Sequence, residues 1–483
     1  PSSSTQTINS AVNYQEFKKF RNAIQYCLCI SITGFLFGYD IGTIGGLVNL
    51  PSFKQKFGDD RTIESLPSFK RNTLGIIIGS FSISAAFGGL FLSSFADKIG
   101  RRFVLIIAMI LYILGDFVIS LSSQWYFVLI GRFLNGSGIG CSSSVSPMFI
   151  SELAPAKLRG TLVSALQFLT TLGILTGSFV IFFCKNLQGT NQFLVPLYIG
   201  FGLGIFSIGL LLTVLESPVY LVKSNNLEDA RCAIAYLNHI TLDHWYVEHC
   251  MTEIKSRFRE KIEDLQNTYQ QQKGHSIKAK GYSYHEDNLL PYAICGIILM
   301  SLQQFTGINY FFFYGTSIFG SAGIDDPYLT SIILAAVNFI FSTIALLLVD
   351  KFKRRFLLFL GSLIMFSCMI SFSSIGTFAL SKSSGEQNSF PGIVMIIFTC
   401  IFIAAFTLSW GPLSYVVVSE VFPSKFQSKG TSISTTANWV SNFLVSFCTP
   451  FITEKIGFSY GYAFAFSLCL SMLFVWFYIP ETK

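Results

Sequence analysis

Apolar runs of about twenty residues, separated by short polar joints, make up most of the chain. An α-helix rises about 1.5 Å per residue, so crossing a hydrocarbon core of roughly 30 Å takes about 20 apolar residues. Each run therefore predicts one membrane span. The runs lie near 24–48, 73–95, 103–121, 125–147, 161–184 and 193–215, then 291–319, 327–349, 356–380, 391–418, 431–452 and 457–479. This divides the chain into a polar N-terminal segment (1–23), a six-helix bundle (24–215), a polar helical linker (216–290), a second six-helix bundle (291–479) and a short C-terminal stub (480–483).

Composition agrees with hydrocarbon as the main solvent. The 483 residues are 51% hydrophobic and only 12% charged, with a mean hydropathy of +0.56, whereas soluble domains carry roughly 25% charged residues. The net charge of +7 is not gathered into a basic stripe with interleaved aromatics, so no nucleic-acid partner is expected. The Cys residues are scattered, several within apolar runs, and Cys27 and Cys29 lack zinc-knuckle spacing. Every His lies in the linker, and His244, His249 and Cys250 do not share a helical face. No metal or cofactor is expected. A phosphate-cradling Gly loop and a nucleophile–base pair are both missing from the sequence, which argues against an enzyme. The N-terminus shows no cleavable signal pattern, so the first run reads as an uncleaved anchor. Asn135-Gly136-Ser137 falls within a run and is not expected to be glycosylated.

Basic residues set the orientation. Most of the 33 Lys and Arg fall on one side if both termini and the linker are cytoplasmic, as positive-inside topology requires. The mixed charges of the first external loop, Asn49 to Arg71, weaken the bias without reversing it.

An internal repeat organises the chain. Asp97-Lys98-Ile99-Gly100-Arg101-Arg102 follows the second run, and Asp350-Lys351-Phe352-Lys353-Arg354-Arg355 follows the eighth. Ser151-Glu152-Leu153-Ala154-Pro155 follows the fourth, and Ser419-Glu420-Val421-Phe422-Pro423 the tenth. Each of the latter is trailed by a basic residue and Gly, at Arg159-Gly160 and Lys429-Gly430. Two motifs in the same order at matching span ends imply a duplicated six-span unit. Such halves, related by pseudo-symmetry, suit alternating access.

These motifs, with Gly131-Arg132 and Glu216-Ser217-Pro218, resemble the sugar porter branch of the major facilitator superfamily. Phe37-Gly38-Tyr39-Asp40, Pro147-Met148-Phe149-Ile150-Ser151-Glu152, Trp410-Gly411-Pro412 and above all Gln303-Gln304-Phe305-Thr306-Gly307-Ile308-Asn309 look most like fungal hexose transporters. The resemblance implies an all-α membrane protein of the major facilitator fold, with twelve helices in two pseudo-symmetric bundles. It further implies carriage of a monosaccharide such as glucose, fructose or galactose across a lipid bilayer, in the plasma membrane, by a monomeric unit.

A sugar needs groups that both donate and accept hydrogen bonds, and aromatic faces for stacking. Gln303, Gln304 and Asn309 are three amides within seven residues of an apolar, aromatic span, with Gln303 and Asn309 on similar faces of a continuous helix; hydrogen-bond glue between helices is their other reading. Gln167, Asn338 and Asn438 are isolated amides at positions that match sugar-binding positions of the family. Phe313 and Tyr314 match its external aromatic gate, Tyr415 stands where many relatives have Trp, and Trp439 is a further aromatic candidate.

Asp97, Arg101, Arg102, Glu152, Arg159, Glu216, Asp350, Arg354, Arg355 and Glu420 form a charged set at cytoplasmic span ends, suited to pair across the halves when the inner gate shuts. Positive-inside anchoring is the alternative, though it requires no acids. The chain departs from the family at Leu194, Leu215, Val219 and Lys353, which puts the stability of the inward-closed state in question. Asp40 and Arg132 look like a buried carboxylate–guanidinium pair. In the family's proton symporters the matching Asp takes the proton, but fungal facilitators keep it too. Asp116, inside the third run, is either a second protonatable site or part of a polar seam. A facilitator leads; a proton symporter and a sugar sensor on the same fold are the alternatives.

Overall fold

The computed structural model describes residues 20–60, 67–155, 158–256, 289–322, 324, 326–348, 353–380, 390–422 and 427–479. Among these, the backbone is helical apart from loops and one isolated bridge between Asp60 and Ser68. The first half comprises α1 (Arg21–Leu47), the short α2 (Pro51–Phe57), α3 (Arg71–Phe87), α4 (Ala96–Ile99), α5 (Arg101–Leu121), α6 (Trp125–Leu153), α7 (Arg159–Cys184) and α8 (Asn191–Thr213). Two linker helices follow, α9 (Pro218–Lys223) and α10 (Leu227–Leu237), and 245–256 is also helical. The second half comprises α11 (Leu289–Phe305), α12 (Ile308–Ser321), α13 (Pro327–Leu348), α14 (Arg354–Ser374), α15 (Phe390–Leu408), α16 (Trp410–Val421), α17 (Gln427–Ile456) and α18 (Tyr460–Tyr478).

Each predicted run corresponds to one helix or to a broken pair. Among the described residues, ten helical stretches are long and apolar enough to cross a bilayer, and one of them, Gly430–Tyr478, holds two spans, α17 and α18, joined by a 3₁₀ turn at Gly457–Ser459. The twelfth span is α6. It is too rich in Ser and Gly to pass on apolarity because Arg132, Asn135, Ser137, Ser142 and Ser146 are buried among neighbouring helices rather than facing lipid.

Two spans differ from the continuous helices expected. The seventh breaks between α11 and α12 at Gly307, whose φ of 94° lies in the left-handed region and favours glycine. The tenth breaks at Ser409 (φ −126°, ψ −85°). Pro412, just inside α16, has no N–H to carry the helical ladder back across that junction. Backbone freed at such breaks is tolerated inside a membrane only where it is buried in protein or lines a cavity.

Within the halves α1 packs along α7, α5 along α6 and α8, and α14 along α15 and α18; between them α3 meets α17, α7 meets α13 and α1 meets α12. The α1–α7 seam is built on glycines. A Cβ on Gly34 would sit 2.8 Å from the Leu166 carbonyl oxygen, and one on Gly38 would run into the Thr170 carbonyl. With no hydrophobic drive between helices in lipid, such close approach supplies the packing.

The repeat is visible in matching contacts. Arg101, at the start of α5, holds Glu152 at the end of α6 through Nε at 3.1 Å, and Arg354, at the start of α14, holds Glu420 at the end of α16 at 3.5 Å. Arg102 donates to the Leu212 carbonyl near the end of α8, and Arg355 to the Trp476 carbonyl near the end of α18. The linker helices pack about Ala230, Ile234, Ala235, Val247 and Met251, and dock on α1 through Asn22 Nδ2, which donates to the Tyr236 carbonyl at 2.8 Å.

Gly38→Val should destabilise the protein by about 1–3 kcal/mol, the usual range for overpacking. Gly202→Ala, at an exposed helical site with open space around it, should be neutral or slightly stabilising. Thermal unfolding in detergent reads both, and equal melting temperatures for the two variants would contradict the close-packed α1–α7 seam.

Candidate functional site

The break at Gly307 organises a chain of amides in the second half. Gln303 Nε2 donates to the carbonyls of Trp410 (2.9 Å) and Gly411 (3.3 Å), the backbone exposed by the break in the tenth span. Asn438 Nδ2, on α17, donates to Gln303 Oε1 (2.7 Å) and to the Met300 carbonyl (2.9 Å). Gln304 Nε2 donates to Asn438 Oδ1 (2.9 Å), and Asn309 Nδ2 donates to Gln304 Oε1 (2.6 Å) and Asn442 Oδ1 (3.1 Å). Ser446 Oγ donates to Asn442 Oδ1 at 3.2 Å. An unbroken helix would put Gln303 and Asn309 on similar faces; the turn at Gly307 instead delivers Asn309 to Gln304. Asn442 and Ser446 were not singled out from the sequence. Their signal was there, since they lie four and eight residues beyond Asn438 on one face of α17.

The other predicted positions are distributed around this chain. Asn338 is buried on α13 and accepts from the Thr407 hydroxyl (2.7 Å), a bond within the second half. Gln167 is exposed on α7, next to Phe168, whose ring meets Phe339 of α13 at 5.1 Å. Tyr415 is 44% exposed. Trp439 is buried at the meeting of the halves, edge-on to Phe37 (5.5 Å) and Phe81 (6.3 Å), and its Nε1 has no hydrogen-bond partner among the described residues. Phe313 and Tyr314 are buried on α12, with the Tyr314 hydroxyl donating to the Ser446 carbonyl at 2.6 Å.

In the first half Arg132 Nη1 lies 2.6 Å from Asp40 Oδ1, both side chains are about 5% exposed, and the guanidinium stacks over Phe81 at 4.6 Å. The pair ties α1 to α6 next to the aromatic cluster that receives Trp439.

The charged set at the span ends is joined within halves. Arg101 pairs with Asp97 (3.0 Å) as well as Glu152, and Lys223 pairs with Asp97 (3.1 Å). Ser217 donates to Glu152. The Glu216 carboxylate caps the start of α5, accepting from the backbone N–H of Arg101 (3.0 Å) and Arg102 (3.2 Å), where an anion suits the helix dipole. Burial pushes that carboxyl up, against the pull of its backbone donors on Ser217, Arg101 and Arg102. Arg159 is exposed at the first residue of α7, and Asp350 lies outside the described residues.

At the opposite end of the bundle, bonds cross between the halves. Thr316 Oγ1 donates to the Gly45 carbonyl (2.7 Å), and Asn49 Nδ2 donates to Thr316 Oγ1 (2.8 Å) and Ser317 Oγ (2.9 Å), tying α1 to α12. Lys185 at the end of α7 pairs with Asp326 before α13, and Arg71 at the start of α3 pairs with Glu454 near the end of α17. No periodicity or motif marks these cross-half pairs in the sequence.

The profile of a family described as "Sugar (and other) transporter" matches residues 26–483. The hexose transporter HXT10 of Saccharomyces cerevisiae is 38% identical over 417 residues, covering 85% of this chain and 74% of that protein. A low-affinity glucose transporter of Kluyveromyces lactis is 38% identical over 462 residues, covering 95% and 80%. The partially occluded, inward-open xylose transporter XylE of E. coli superposes with a TM-score of 0.77 at 26% identity, covering 96% of this chain and 99% of that one. XylE described as a proton:xylose symporter bound to 6-bromo-6-deoxy-D-glucose superposes with a TM-score of 0.75 at 26% identity, covering 96% and 97%. With the duplicated twelve-span fold, the repeated arginine clamps and an amide chain at a broken helix, this chain belongs to the Sugar (and other) transporter family.

Proposed function

We propose that the protein carries a glucose-like hexose across the plasma membrane by facilitated diffusion, as a single-chain unit with both termini cytoplasmic. The amide chain from α11 and α12 to α17 is the observation that carries this reading. It concentrates uncharged donors and acceptors in an apolar bundle, as a ring of hydroxyls requires. Gln303 and Asn438 spend both amide hydrogens on protein acceptors, so they brace the two broken spans. Gln304 and Asn442 keep amide hydrogens beyond the bonds in this chain, and Asn309 can exchange its amide partners for sugar hydroxyls. Trp439 Nε1, buried and unpartnered, is a further donor for a bound sugar.

With the termini cytoplasmic, the cross-half bonds of Asn49, Thr316, Lys185 and Arg71 close the outer end, and the protein is in an inward-facing state. The span-end clamps then act within each half, holding it as a rigid body that rocks around the site. Phe313 and Tyr314 are packed shut in this state and would have to part for outward opening. The similarity to relatives named as hexose and glucose transporters supports the cargo. A proton-coupled symporter is the second reading, favoured by the buried Asp40–Arg132 pair and by the likeness to a proton:xylose symporter.

Asn309→Ala and Gln304→Ala should each abolish saturable hexose uptake while leaving membrane insertion intact; uptake retained in both variants would remove the amide chain as the site. Lys185→Met should weaken the outer latch by about 0.5–1 kcal/mol, as a partly exposed ion pair contributes little, raising the outward-open fraction about two- to five-fold. Spin-label distances between the outer ends of α7 and α13 measure that fraction, and an unchanged distribution would exclude the latch.

A further inference from the structure

The Asp40–Arg132 pair does not balance all the charge buried in the first half. Asp116, on α5, is 4% exposed, and its Oδ1 accepts from Asn135 Nδ2 at 2.9 Å. Its second oxygen, Oδ2, is buried without a hydrogen-bond partner among the described residues, as are Asp40 Oδ2 and Asn135 Oδ1. Asp40, Asp116, Arg132, Asn135, Tyr39 and Tyr112 line a single small cavity inside this half. The facing helix α8 presents Gly200 there. A Cβ on it would lie 2.8 Å from Asp116 Oδ2 and 3.2 Å from the Tyr112 hydroxyl, so the glycine keeps room beside the unbonded oxygen.

Two carboxyls face one guanidinium among the residues lining this cavity. With both ionised, the site would hold an uncompensated negative charge inside the bundle, which a buried site strongly disfavours. Arg132 is committed to Asp40 at 2.6 Å and to the face of Phe81. Besides the Asp40–Arg132 pair, the groups that face Asp116 in this cavity are neutral: the Asn135 amide and the hydroxyls of Tyr112 and Tyr39, the last already donating to the Pro196 carbonyl at 2.7 Å.

We infer that Asp116 is a proton-binding site, separate from the Asp40–Arg132 pair. A proton on Oδ2 cancels the excess charge, leaves Oδ1 as acceptor for Asn135 and keeps Asp40 ionic against Arg132. The inference rests on the membrane-transport reading and adds a task to it. A proton resident on Asp116 spares Asp40 from taking one, so sugar can move without following a proton gradient.

The test is infrared spectroscopy of the full chain in lipid nanodiscs at neutral pH without sugar, with hexose counterflow measured on the same preparation. The carbonyl band of a protonated buried carboxylic acid should be present, shifted by Asp116→Glu, lost in Asp116→Asn and unmoved by Asp40→Glu. A band that Asp40→Glu moves, or that survives Asp116→Asn, overturns the assignment. So does the absence of any such band, or a sodium-dependent thermal stabilisation that Asp116→Asn removes, which would make the ligand a metal cation. Because the band is read without sugar, a preparation that keeps it but exchanges no hexose would defeat the transport reading alone.

Discussion

Inside hydrocarbon a polar group must find its partner within the protein, and this constraint shapes every part of the molecule. It explains why the chain is helical, since a helix satisfies its own backbone. It also explains where polar side chains are allowed. Asp40, Arg132, Asn135 and Asp116 turn into the first half, while Gln303, Gln304, Asn309, Asn438 and Asn442 turn into the second. The breaks in the seventh and tenth spans obey the same rule: the Trp410 and Gly411 carbonyls released at Ser409 are taken up by Gln303. The amides proposed as the sugar site therefore include those that hold the broken helices together.

The two halves solve this constraint alike at their ends and differently at their centres. Paired arginines at the starts of α5 and α14 clamp Glu152 and Glu420 and reach the ends of α8 and α18. Those contacts stay inside a half. The contacts between the halves are of another kind: partly exposed ion pairs, hydroxyl–carbonyl bonds and the edges of aromatic rings around Trp439. Each is worth little, of order 1 kcal/mol or less for an exposed pair. A switch made of several weak contacts stays close to balance, so that bound sugar can bias it.

Much of this was legible in the sequence. Span positions followed from run length, and the duplicated arginine and glutamate motifs marked the repeat because the same clamp is needed twice. The strings around Gln303 and Asn438 marked the polar seam. The breaks were less legible: Gly307 and Pro412 are visible, but apolar runs tolerate both residues without breaking. Asn442 was legible only through its place one helical turn beyond Asn438 on α17. The contacts between the halves left no signal, since Lys185–Asp326 joins residues 141 positions apart that carry no motif. The sequence suggests that the span-end charges pair across the halves when the inner gate shuts; in this conformation the clamps join helices within one half.

The most direct test of the central claim is counterflow of radiolabelled hexoses in proteoliposomes, with and without an imposed proton gradient. The account predicts saturable exchange of a glucose-like sugar that ignores the gradient. Accumulation driven by the gradient and lost in Asp40→Asn would replace the facilitator with a symporter. An absence of exchange for every hexose, in protein shown to be inserted and folded, would contradict the account.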